Sequence, residues 1–149
     1  AIFDALNSND DSDQVDNTGT NLMRPRGAVT IGSGHYKCSE GTCAASDKMV
    51  VLTSMWGEVK CNSDAATCTL DGEDSHIVMA ISGFHAGDNV LAIRALTVTM
   101  GKWDSCGGIG VSQGAIVDII LCVFIENQPL TNGAGAIGVL GGEGENGRV

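Results

Sequence analysis

Aromatic residues are scarce in this chain of 149 residues: three Phe, two Trp and one Tyr make up 4% of it. A buried core must therefore be assembled from Val, Ile, Leu and Ala, although apolar residues as a whole reach 43%. Basic residues are short as well, with 8 Lys and Arg against 18 Asp and Glu and a net charge of −10. That balance excludes a nucleic-acid partner, whose phosphates demand cations, and argues against an anionic lipid surface. No apolar stretch approaches the roughly 20 residues of a membrane-spanning helix, so membrane insertion is not expected. The longest such run, Ile119–Ile125, has the length of a strand. There is no Asn-x-Ser/Thr sequon and no CxxC pair. Nor does the chain open on Met or on a charged-then-apolar leader, so a mature product is expected.

What is abundant is glycine, 21 residues of it, set between short apolar runs. Glycine spaced in this way marks tight turns. Near the end the chain repeats itself. Val90–Thr99 (VLAIRALTVT) followed by Gly107–Val111 (GGIGV) is answered by Val117–Glu126 (VDIILCVFIE) and Gly135–Val139 (GAIGV). The offsets read as 27 and 28 residues. A period in the twenties built on β-branched runs is the mark of a coiled sheet whose turns stack on one another. Further strands are expected at Ala28–Ile31, Met49–Thr53, Glu58–Cys61, Cys68–Leu70 and Ile77–Ile81. Asp71-Gly72 is a turn dipeptide. Met79–Ile81, Ile109–Val111 and Ile137–Val139 are expected at equal heights in successive turns. Their central Ala80, Gly110 and Gly138 would then point outward and leave a bare strip of backbone.

Residues 1–26 read as a separate cap. Ile2, Phe3 and Leu6 fall on one side of a short helix, and an acidic loop follows, closed by Arg24-Pro25-Arg26. Asp10, Asp11, Asp13 and Asp16 in that loop are weak calcium candidates, because hard cations take carboxylate oxygens. The loop lacks the Gly and closing Glu of an EF-hand, and no cofactor or metal is expected. Residues 27–149 would form the solenoid.

Six cysteines in a small acidic chain point to an oxidising, extracellular compartment. They allow 15 pairings. Proximity suggests Cys38–Cys43 and Cys61–Cys68, with Cys106–Cys122 as the remaining pair. The three histidines (His35, His76, His85) are scattered and suggest no zinc site.

Several phrases resemble the right-handed parallel β-helix proteins of the pectin lyase-like superfamily. They are Gly27–Tyr36, an alternating strand ending in Gly and Tyr; Cys68–Gly72 followed by Ile77–Gly83; and Ile119–Asn127, with its Ile-x-x-Cys-x-Phe-x-x-Asn pattern. The resemblance spans residues 27–149 and implies an all-β, right-handed parallel β-helix of about four to five turns with a short N-terminal capping helix. Fold alone does not carry activity. The grouped Asp pairs, Gly-His-Gly and Arg-x-Lys of the hydrolases do not occur on these strands. Arg94 and Asp118 lie in different turns, which departs from the lyases. Asp71, Glu73 and Asp74 could supply the two carboxylates of glycoside hydrolysis, although a turn role is the simpler account. Thr97-Val98-Thr99 is a single Thr-x-Thr rung, too little for an ice-binding array.

The chain also ends where the family would begin another strand, which would leave an open edge. The function expected from these observations is a non-catalytic extracellular or cell-surface structural module, a subunit of a larger or filamentous structure. Its partner would be another copy or a neighbouring subunit at the C-terminal edge, joined by strand addition. The alternative is a carbohydrate-binding or polysaccharide-cleaving β-helix, with a polysaccharide as partner.

Overall fold

The computed structural model describes residues 26–40, 43–44, 47–53, 56–83 and 90–140. Fourteen strands occupy them: β1 (Arg26–Ile31), β2 (Gly34–Lys37), β3 (Lys48–Thr53), β4 (Trp56–Cys61), β5 (Cys68–Asp71), β6 (Ile77–Ser82) and β7 (Val90–Arg94). Then come β8 (Leu96–Thr99), β9 (Lys102–Trp103), β10 (Ile109–Ser112), β11 (Ile116–Ile120), β12 (Val123–Ile125), β13 (Gln128–Pro129) and β14 (Ile137–Leu140). One 3-10 turn (Cys38–Glu40) is the only helical element among the described residues.

The strands form three four-stranded sheets in the orders β1-β4-β7-β11, β2-β5-β8-β12 and β3-β6-β10-β14, with β9-β13 as a short fourth. Every ladder is parallel. A strand therefore pairs with its counterpart one turn later, and the fold is an all-β parallel solenoid. Each of the three main sheets takes one strand from each of four successive windings, and the chain completes three turns between its first strand and its last. This makes about three turns, not the four to five expected from the family resemblance. The expected capping helix lies outside the described residues, as do residues 1–25 generally.

Period-two alternation builds the core. Val29, Val59, Ile93 and Ile119 stack inward in the first sheet. Leu70, Val98 and Phe124 do so in the second. Val50, Met79, Ile109 and Ile137 form a column in the third, beside Leu52, Ile81, Val111 and Val139. Within the inner turns these residues are fully buried. No large ring is needed, because each winding adds one thin layer of aliphatic side chains.

The register corrects the repeat offset. Ile109 pairs with Ile137, 28 residues on, as the sequence suggests. Val90, however, pairs with Ile116 and not with Val117, so the offset there is 26. The difference matters because a one-residue slip exchanges the two faces of a strand. The 26-residue register keeps Leu91 over Val117 and Ile93 over Ile119, all inward, and sends Asp118 out beside Ala92. Two extra residues between β13 and β14 restore the offset of 28.

The sharp corners rest on single residues in the left-handed region. Ala95 (φ 57°) alone joins β7 to β8, and Leu121 (φ 54°) repeats it one turn later. Met100 (φ 51°) and Glu126 (φ 55°) form a second such pair. Asn127 then ties two turns together: its Nδ2 donates to the Val98 carbonyl (2.8 Å), and its Oδ1 accepts from the Gly101 amide (2.9 Å).

Ala80, Gly110 and Gly138 do line up across β6, β10 and β14. The strip they form is not bare, however. Gly138 is buried, and a Cβ there would come within 2.9 Å of the Cys106 Cβ. The residue is small because a loop lies across it.

Candidate functional site

Asp71 ends β5 and is the one buried polar or charged residue among those described. Both its oxygens are engaged. Oδ2 lies 2.7 Å from His35 Nε2, on the neighbouring strand β2, and Oδ1 accepts the Glu73 backbone N–H at 2.8 Å. This satisfies a carboxylate that would otherwise be costly to bury. Glu73 in turn accepts hydrogen bonds from the Ser39 amide (2.9 Å) and the Ser39 hydroxyl. Those two bonds hold its carboxyl below the ordinary glutamate range, against the opposing push of partial burial and of the Asp71 charge. Glu73 and Asp74 both adopt positive φ (52° and 53°), as the tight reversal after Asp71 requires. The exposed Asp74 is tied to the next turn through its backbone, with its N–H donating to the Met100 carbonyl at 2.8 Å.

The structure thus brings Asp71 and Glu73 together and leaves Asp74 aside. Glycoside hydrolysis needs one carboxyl group held protonated to donate to the leaving oxygen. Glu73 is biased the other way, toward the ionised form. The arrangement works as a clamp: His35, Asp71, Glu73 and Ser39 fasten the first winding to the second. His35 carries no signal in sequence. Only the parallel register of β2 on β5 puts it within reach of Asp71.

Two of the expected disulfides are present, Cys38–Cys43 and Cys61–Cys68. The third is not: Cys106 and Cys122 are free thiols. They sit at different corners of the coil. Cys106 Sγ lies against the Ile109 carbonyl (3.1 Å), beside the isolated bridge to Ala134, whereas Cys122 Sγ lies against the carbonyls of Ile93 and Ile120 (both 3.5 Å). Burial pushes both thiols up, so neither is an activated nucleophile. The cysteine count could not reveal this, because Cys122 occupies an inward column position that Leu96 fills one turn earlier.

The calcium candidates Asp10, Asp11, Asp13 and Asp16 lie outside the described residues. Among the described residues no group of three or more His, Cys, Asp or Glu is placed to hold a metal ion, and no helix is long and apolar enough to cross a membrane. Thr97 and Thr99 face outward between Thr69 and Asp71 on one side and Val123 and Ile125 on the other. The threonine rung is not repeated.

The largest chemical anomaly is apolar. Six large hydrophobic side chains are exposed among the described residues, and five lie on the last winding: Leu121 (56%), Val123 (42%), Ile125 (46%), Leu130 (57%) and Val139 (49%). Val139 is the end of an inward column. Val123 and Ile125 instead face sideways, where the inner turns carry Thr97 and Thr99. The last winding therefore offers apolar surface on both its end and its flank.

No known family model, curated protein or solved structure matches this chain.

Proposed function

We propose that this solenoid is a non-catalytic structural module that assembles with another copy or a neighbouring subunit through its last winding. The concentration of exposed Leu, Val and Ile there carries the reading, since large apolar side chains left in solvent together are characteristic of interaction sites. Parallel strands add a second element of fit. The edges of β11, β12 and β14 follow the same spacing as the ladders beneath them, so an added strand would extend an existing pattern. The engagement of Asp71 and Glu73 in structural bonds counts against the polysaccharide-cleaving alternative.

The two disulfides are compatible with an extracellular or cell-surface setting. We read the winding as right-handed, because parallel crossovers take that hand in about 98% of cases, and the chain as a relative of the pectin lyase-like β-helices. The phrases quoted from the sequence support that kinship.

Light scattering on the non-reduced chain, across concentration and with or without calcium, tests the assembly. Growth with concentration is expected, together with its loss in a Val123→Lys/Ile125→Lys variant. A monomer at every concentration would remove the proposal.

A further inference from the structure

Lys60 and Arg94 stand next to each other where a flat sheet should not want them. They are register partners on β4 and β7, facing outward, in a column that runs from Thr30 of β1 to Ile120 of β11. Like charges directly opposite across a ladder are destabilising. In a chain with only eight bases against eighteen acids, two of those bases share one rung. Each has an acidic neighbour, but the contacts are single and open: Lys60 Nζ to Glu58 Oε1 at 3.4 Å, and Arg94 Nε to Asp64 Oδ1 at 3.2 Å. Exposed pairs of this kind hold weakly. The Asp64 side chain is 70% exposed and free to swing away.

These side chains line a cleft of about 680 Å³ whose far wall is the turn at residues 62–64. That volume falls within the range of small-ligand sites. The wall is fixed. Cys61–Cys68 closes the turn, the Asn62 backbone N–H donates to the Ile31 carbonyl (2.8 Å), and Ser33 Oγ donates to Asn62 Oδ1 (2.8 Å). From the winding above, Thr97 Oγ1 donates to the Ala66 carbonyl (2.8 Å). The turn is thereby pinned to both neighbouring windings, while the cations opposite each hold a single solvent-exposed ion pair.

Unspent donors accumulate in this cleft. Asn62 uses its Oδ1, leaving Nδ2 without a partner among the described residues. Ser63 Oγ accepts from the Ala65 amide and keeps its own proton to give. Arg94 forms its hydrogen bond through Nε, and its terminal nitrogens have no partner among the described residues. With Lys60, these residues line one cleft, and an oxyanion bound there would engage such donors and offset the Lys60–Arg94 repulsion. Glu58, which also lines the cleft, offers acceptor oxygens for hydroxyl groups.

We propose that the cleft between the Lys60–Arg94 rung and the disulfide-closed turn at residues 62–64 binds a small polyol bearing one oxyanion, a sulfate or phosphate ester of a sugar. Arg94 adjoins Ile120 of the last winding in register, but none of the exposed apolar side chains behind the assembly proposal lines the cleft, so either proposal can fail without the other.

Calorimetric titration of the full, non-reduced chain with glucose 6-sulfate, glucose 6-phosphate, glucose and inorganic sulfate tests the site. Both esters are expected to bind more tightly than inorganic sulfate, with glucose the weakest; their order tells which ester the cleft prefers. Arg94→Gln and Lys60→Gln should each weaken the ester about tenfold or more. Asp64→Asn removes the competing carboxylate and should tighten it, a gain that a merely structural role for Asp64 would not produce. All three positions lie on the outer surface, and thermal melts would confirm intact folding. Equal binding of glucose and its esters, equal binding of inorganic sulfate, no ester binding at millimolar concentration, or unchanged affinity in the Arg94 and Lys60 variants would each overturn the proposal.

Discussion

The third winding and the last winding carry nearly the same sequence pattern but live in different environments. Ile93, Val98 and Val111 are fully buried. Their successors Ile119 and Phe124 are only partly buried, and Val139 is half exposed. At the corner, Ala95 is buried while its counterpart Leu121 stands out in solvent. Burial in a solenoid is therefore not a property of a position in the repeat. It depends on what packs against each winding, for Ile31, Val50 and Leu52 of the first winding are buried as completely as the residues of the third, and stability in such folds behaves as a chain of nearest-neighbour terms.

The sharpest way to break this comparison is to cut the same side chain in both windings. Ile93→Ala should cost about 3–4 kcal/mol, in the range for a large-to-small change in a closed core. Ile119→Ala should cost about 1–2 kcal/mol, because less apolar surface returns to water. Urea denaturation of the two variants decides it. Equal losses would mean that the last winding is as well covered as the third.

The second contrast is chemical. The second winding is closed by Cys61–Cys68, whereas the last winding holds Cys122 unpaired in the same inward column. Replacing Cys61 and Cys68 together by Ala should lower stability by about 2 kcal/mol, the chain-entropy scale for so short a loop. Thiol titration of the unfolded, non-reduced chain should find two free groups, from Cys106 and Cys122. A count of zero would restore the third disulfide and refute the corner geometry.

The clamp joining the first two windings predicts a pH dependence of stability. Glu73 is held below its ordinary value mainly by the Ser39 hydroxyl and amide. A carboxyl depressed on folding stabilises fully above its unfolded value, and that contribution drains away as pH falls through the folded value. Acid titration of stability should therefore show a shallower loss in Glu73→Gln than in the parent chain. Parallel acid curves would assign the acid sensitivity to other carboxylates, Asp47 among them, which Lys48 holds down.

Much of this architecture is legible in residue order because it rests on local chemistry. Alternating Val, Ile and Leu mark the strands, and the repeated Ile-Gly-Val phrase fixes the 28-residue ladder of β10 on β14. What could not be read has a common physical cause. The phase of β7 against β11 turns on one residue, and Val90 resembles Val117 as well as it does Ile116; only the demand that Asp118 face water selects the register. Corners built on Ala95, Met100, Leu121 and Glu126 give no glycine signal. His35 with Asp71, and Lys60 with Arg94, lie more than thirty residues apart and meet only once the winding number is known.

The smallest expected effect separates local strain from neighbour-dependent burial. Met100 and Glu126 occupy the same corner in successive windings, both at positive φ. A left-handed conformation disfavours any side chain with a Cβ, and this penalty involves no neighbouring winding. Glycine relieves it at some entropic cost in the unfolded chain. Glu126 is exposed, so Glu126→Gly should raise stability by about 0.5–1 kcal/mol. Met100 is partly buried, and Met100→Gly should gain the same backbone relief but forfeit packing, leaving it neutral or worse. Denaturation midpoints for the pair measure the difference directly. If both glycines destabilise equally, the corners are held by contacts rather than strained by conformation, and the distinction between an intrinsic corner and a shared core would not hold.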